Sequence, residues 1–176
     1  MNIKFVLNKE YIGEIVSYNH VYDFIRIQNN GYKLTFYYYF DEYLNRQVDI
    51  SFYCQIEKEN KNIYYWINMK YDKEKLIKAL NKSKQVYKEI SNNESKIVDD
   101  YFIKKDNSSL KIENNETAEN IVEIIDYEFS NNFEELINEF EMILNNFEII
   151  EQKFYQSTEK LQKLFYKGIK NIRERQ

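Results

Sequence analysis

Proline is absent from all 176 residues, glycine occurs three times, and cysteine and histidine occur once each. Each shortage excludes something. The single thiol, Cys54, rules out an intrachain disulfide framework, and with His20 as the lone imidazole no His/Cys zinc site can be assembled. A reducing, cytoplasmic compartment without structural metal or cofactor is the resulting expectation. No stretch of 18 apolar residues occurs, and the opening MNIKFVLNKEYIGEIV lacks the apolar core and cleavage site of a signal peptide. Neither membrane insertion nor export by that route is expected. No catalytic, metal or nucleotide-binding motif stands out.

Asn, Lys, Ile and Tyr are abundant, as an AT-rich coding sequence would make them. The 17 tyrosines therefore carry little functional weight by number alone. Charge is more telling, because positive charge is missing from a long segment. No Lys or Arg lies between Lys111 and Lys153, whereas twelve carboxylates do, and a basic cluster follows at Lys163, Lys167, Lys170, Arg173 and Arg175.

Residues 1–70 read as antiparallel sheet. Val48, Ile50, Phe52, Cys54 and Ile56 alternate with polar neighbours, as do Ile63, Tyr65, Ile67 and Met69, which half-buried strands require. Asn29-Asn30-Gly31 tolerates the positive φ of a tight hairpin turn, so strands are expected on either side of it. Asp72 can cap a helix that begins at Lys73 and turns Leu76, Leu80, Tyr87 and Ile90 to one face. Beyond Ser91-Asn92-Asn93, a small hairpin is expected around Asp106-Asn107-Ser108.

From Thr117 the spacing of Ile121, Ile124 and Ile125 reads as helix. A seven-residue repeat follows, with Phe133, Phe140, Phe147 and Phe154 at position a, Leu136, Ile143 and Ile150 at d, and Ile137 and Leu144 at e. A seam this wide suits a bundle or a sheet-packed helix better than a two-stranded coil. Continuous helix from Asn131 to Ile172 would span roughly 63 Å at 1.5 Å per residue, so part of it should project or fold back. The expected fold class is α+β: an N-terminal antiparallel meander of five or six strands with a packed helix, then a C-terminal helical region containing a long heptad-patterned helix. The expected organisation is residues 1–92 as sheet plus helix, 93–116 as a polar connection, and 117–176 as an acidic helical bundle or coiled coil.

The organised information thus lies in surfaces, and the expected role is non-enzymatic binding of another macromolecule. Glu134, Glu141 and Glu148 form an acidic line at heptad position b beside the Phe133, Phe140, Phe147 and Phe154 seam. Together they suggest a protein partner with a basic surface, or a homo-oligomer formed through the C-terminal helix. By class analogy only, a phage or mobile-element inhibitor of host nucleic-acid machinery, anti-CRISPR-like, fits a small acidic chain of this kind. The alternative is single-stranded RNA binding by outward aromatics of the sheet, Tyr37, Tyr39, Tyr53, Tyr64 and Trp66. A third reading, a metal-dependent nuclease, rests on Asp49 followed by Glu59-Asn60-Lys61.

Overall fold

Cross-strand alternation is realised on a larger scale than the five or six expected strands. The computed structural model describes residues 9–17, 20–29, 31–43, 47–128 and 133–155. Nine strands are present among them: β1 (Lys9–Ser17), β2 (His20–Asn29), β3 (Tyr32–Tyr43), β4 (Gln47–Lys58), β5 (Ile63–Asn68), β6 (Glu94–Val98), β7 (Tyr101–Lys105), β8 (Ser109–Asn114) and β9 (Asn120–Asp126). They form one antiparallel sheet in the order β1-β2-β3-β4-β5-β9-β8-β7-β6. Hairpins carry the chain from β1 to β5. Helix α1 (Lys73–Val86) then crosses to the far edge, and three further hairpins walk back until β9 pairs with β5.

Local chemistry places the corners. Gly31 adopts φ 84° in the β2–β3 turn, where a residue without Cβ is unstrained, and Asn60 takes φ 61° between β4 and β5. The two turns are tied together by Glu59 N–H donating to the Gly31 carbonyl at 2.9 Å. Asp72 caps α1, its carboxylate accepting from the Lys75 N–H at 2.9 Å.

One face of the sheet is apolar in two cross-strand rows. Leu34, Ile56, Tyr65, Ile124 and Leu110 form one, while Phe36, Cys54, Ile67, Val122, Ile112 and Ile103 form the other, all buried. Onto these rows pack α1, α2 (Phe133–Asn145) and a further helical stretch over residues 147–155, here α3. Phe133, Phe140, Phe147 and Phe154 are all buried. The Phe140 ring meets the Tyr65 ring edge-on with centroids 4.9 Å apart, and Phe154 reaches Phe36 at 6.0 Å and Phe52 at 5.7 Å. The Phe133 ring lies 5.8 Å from the Lys105 ammonium of β7. The heptad seam therefore runs across the sheet from the β7 side to β3 and β4, and the sheet is the continuous surface it covers.

The expected architecture is corrected in two places. Residues 120–126 are a strand rather than the start of a helical region, with Val122, Ile124 and Asp126 facing the helices. Ile121-Val122 and Ile124-Ile125 are β-branched pairs, whose restricted χ1 disfavours helix and fits a pleated surface. Nor does one long heptad helix form: α2 ends at Asn145, and a turn at Asn146 separates it from α3. The Asn146 side chain donates to the Met142 carbonyl at 3.0 Å, offering that acceptor a partner other than the backbone ladder. Leu161, Leu164, Phe165, Ile172 and the basic cluster from Lys163 to Arg175 lie outside the described residues.

Truncating Phe140 to alanine removes a fully buried ring wedged against Tyr65. The variant should unfold at lower urea concentration, with a loss of about 3–5 kcal/mol, and without any dependence on protein concentration. A concentration-dependent loss would instead place the seam in an interface between chains.

Candidate functional site

The acidic line finds its counter-charges inside the molecule. Glu148 pairs with Lys73 at 2.7 Å, Glu141 with Lys84 at 3.6 Å and Glu134 with Lys88 at 3.5 Å. The three lysines follow one another along α1 and the segment just after it. The three glutamates follow in the reverse order along α2 and α3, so an antiparallel ladder links the two helices. The Lys73 ammonium holds the Glu148 carboxyl below the usual range, and Glu134 in turn raises Lys88. Heptad position b thus became acidic beside a lysine-rich helix.

Another carboxylate of α2 sits deeper. Glu139 is buried where Tyr32 donates to it at 2.7 Å and Lys58 pairs with it at 2.8 Å. The hydroxyl of Tyr65 is also buried here beside Glu139, and burial is the main cause that drives its pKa far upward, followed by the Glu139 charge. This cluster fixes α2 to the ends of β3 and β4. The Glu139 carboxylate is enclosed between helix and sheet, with Lys58 reaching it from the partly exposed margin.

The nuclease fragment does not converge. Asp49 and Lys58 are nine residues apart on one continuous strand, about 30 Å at 3.3 Å per residue, and Glu59 and Lys61 lie in the turn beyond. Among the described residues no group of three or more His, Cys, Asp or Glu side chains is placed to hold a metal ion. Cys54 is fully buried and its thiol is pushed strongly upward by desolvation, so it is held as an inert neutral side chain.

The face of the sheet opposite the helices differs from all of these. Among the described residues no helix packs on it. Strand alternation brings Thr35, Gln55, Trp66, Glu123, Lys111 and Lys104 into one cross-strand row and Lys33, Glu57, Tyr64, Ile125 and Ser109 into the next. The rings of Tyr53 and Trp66 meet edge-on at 6.0 Å, and those of Tyr64 and Tyr127 at 5.8 Å. Trp66, Tyr53 and Tyr64 are all half-exposed. Tyr37 is directly across from Tyr53 in register, and Tyr39 is across from Ser51. Of the five aromatics expected to share a face, three are seen to do so, while Tyr37 and Tyr39 are placed by backbone register only.

Where side chains are described, Lys33, Lys104 and Lys111 stand on this face against Glu57, Glu113 and Glu123, and backbone register adds Lys9 and Arg26 against Asp41 and Asp49. Apolar side chains extend it to the edge, where Phe102 of β7 is opposite Ile97 of β6 and Ile97 is 59% exposed. Glu123 lies between Trp66 and Lys111, and burial raises its pKa against the lowering effect of Lys111. The sequence reading missed Glu123, Phe102 and Ile97. Period-two alternation in Asn120–Asp126 was the signal that could have found Glu123, and that in Tyr101–Lys105 the signal for Phe102.

No protein-family model matches the chain, and no curated protein or solved structure matches it either. No helix among the described residues is long and apolar enough to cross a membrane.

Because the folded state raises the Glu123 pKa, its neutral form is favoured. Its contribution to stability is full below the ordinary carboxylate range near pH 4 and is lost as pH rises through the elevated folded value. Glu123→Gln should therefore raise the urea midpoint at pH 7 and leave it nearly unchanged below about pH 4. An equal shift at both pH values would assign the gain to packing instead.

Proposed function

We propose that this chain is a non-enzymatic binding protein whose partner is another protein, engaged through the sheet face opposite the helices. The observation that supports this most directly is the composition of that face. Half-exposed Trp66, Tyr53 and Tyr64, together with Phe102, Ile97 and Ile125, are interspersed with balanced charges. Aromatic anchors among paired polar groups are the pattern of protein interfaces. A strand-tracking nucleic acid surface would instead need an excess of cations to release phosphate counter-ions.

This reading moves the binding surface from the helices to the sheet. The Glu134, Glu141 and Glu148 line is compensated by Lys88, Lys84 and Lys73, so a basic partner gains little there. Inhibition of a macromolecular machine is one role that such a surface serves, through steric cover rather than phosphate mimicry. A reducing, cytoplasmic setting suits the lone buried thiol of Cys54.

Capture from the native cell with the wild-type chain and with Trp66→Ala/Tyr64→Ala tests the proposal. The aromatic variant should lose a defined protein partner, each hot-spot ring being worth about 2 kcal/mol or more of affinity, while its thermal transition persists. Charge reversal at Glu134, Glu141 and Glu148 should lower stability by opposing like charges across the ladder and leave capture intact. Loss of capture with the glutamate variant alone would return the interface to the helices. Recovery of RNA that is lost with Trp66 and Tyr64 would favour the nucleic-acid alternative.

A further inference from the structure

A cleft of about 240 Å³ opens at the opposite side of α1 from its ladder with α2 and α3. Tyr71, Lys75, Lys78, Asp100, Tyr101, Asn114 and Ile121 line it. The lysines of this region divide into two groups. Lys73, Lys82, Lys84 and Lys88 each have a carboxylate within ion-pair reach, namely Glu148, Asp99, Glu141 and Glu134. Among the described residues Lys75 and Lys78 have none, Lys78 exerting only a longer-range pull on Asp99, and both border the cleft. They stand three residues apart, on neighbouring positions of the helix surface, and in the N-terminal half of α1, where the helix dipole is unfavourable to cations.

Of the remaining polar lining, Asn114 offers a donor. Asn114 has its amide oxygen engaged by the N–H groups of Glu116 at 2.9 Å and Thr117 at 3.2 Å, leaving its NH₂ uncommitted among the described residues. The Tyr71 phenol donates to Glu119 at 3.0 Å, and burial together with that contact pushes its pKa up to about 12. Glu119 also receives Lys70 at 3.2 Å and the Asn68 amide at 3.3 Å, which pins the approach to α1 against the β8–β9 turn. The cleft wall is thus held by a hydrogen-bonded frame on one side. Asp100 is the one carboxylate in the lining. Two tyrosine rings and Ile121 provide an apolar body between these groups.

We propose that this cleft binds a small organic anion, a single-ring molecule bearing a phosphate or carboxylate group, with Lys75, Lys78 and Asn114 at the anion and Tyr71, Tyr101 and Ile121 around the ring. The volume lies below the roughly 300–1,000 Å³ of sites for drug-sized ligands, which favours one ring over two. The two ammonium groups, without an ion-pair partner among the described residues, gain the counter-charge that their neighbours obtain within the fold. Asp100 opposes the anion and limits its charge.

Titration of the full chain with phenyl phosphate, followed by amide chemical shifts, provides the test, with inorganic phosphate and phenol as partial probes. Saturable binding should perturb Lys75, Lys78, Tyr101, Asn114 and Ile121. Phenyl phosphate should bind about tenfold tighter than either partial probe, corresponding to about 1.4 kcal/mol. Lys75→Gln/Lys78→Gln should weaken it by about tenfold or more, Asp100→Asn should tighten it by about two- to threefold, and Lys104→Gln on the opposite sheet face should change nothing. Binding that is non-saturable, that maps elsewhere, or that falls equally with Lys104→Gln would overturn the proposal. Equal affinity for inorganic phosphate would remove the aromatic ligand class.

Discussion

The structure depends on the burial of one aromatic line against one broad sheet. A nine-stranded antiparallel layer has an apolar face far too wide for a single short helix, and a segment that crosses it must present the same side at every strand. Phenylalanine every seven residues meets that condition. Phe140 contacts Tyr65 of β5, and Phe154 contacts Phe36 of β3 and Phe52 of β4. Burial of each large ring is worth about 1.5–3 kcal/mol relative to exposure, comparable to a sizeable fraction of the net stability of a domain. The turn at Asn146 does not interrupt the seam, since Phe147 and Ile150 remain buried beyond it.

Once α2 and α3 lie on the sheet, α1 beside them, the charge pattern of the chain acquires a cause. The cation-free stretch over α2 and α3 runs antiparallel to α1 and the segment just after it, which carry Lys73, Lys84 and Lys88 on the adjoining side. Exposed pairs of this kind add little stability individually. Their collective effect is on orientation: reversing the direction of α2 would bring Glu134 toward Lys73 and leave the matched spacings of the ladder unfilled. Glu139 reinforces the same register from beneath, joining α2 to Tyr32 and Lys58.

Part of this was legible from residues alone. The alternation in β4 and β5, the Asn-Gly turn, the Asp72 cap and the hairpin around Asp106 to Ser108 all state local rules that tertiary contacts left in force. The failures occurred where two periods compete. Ile121, Ile124 and Ile125 satisfy the i, i+3, i+4 pattern of a helix, yet Val122, Ile124 and Asp126 satisfy the alternation of a strand, and the β-branched content favours the second. The buried Asp126 disguised that alternation by placing a carboxylate on the apolar side. β6 was illegible for another reason, since four of its five residues are exposed and its pairing with β7 depends on backbone hydrogen bonds. The acidic line was visible, but its meaning was not, because pairing with α1 is a property of three dimensions.

The two faces of the sheet impose different demands on the same strands. An antiparallel sheet tolerates one face in water when that face is polar. Here Trp66, Tyr53, Tyr64, Phe102 and Ile125 interrupt such a polar pattern, and burial raises the Glu123 pKa by disfavouring its charged form. Neither feature is required by the helices on the other side. A covering surface that donates to the Glu123 carboxylate, or keeps it protonated, while enclosing Trp66 and Tyr53 would relieve both costs at once. The helix side has already resolved its equivalent problem, with Glu139 satisfied by Tyr32 and Lys58 beneath a packed helix. By the same physical logic, contact with a partner is what we propose completes the outer face.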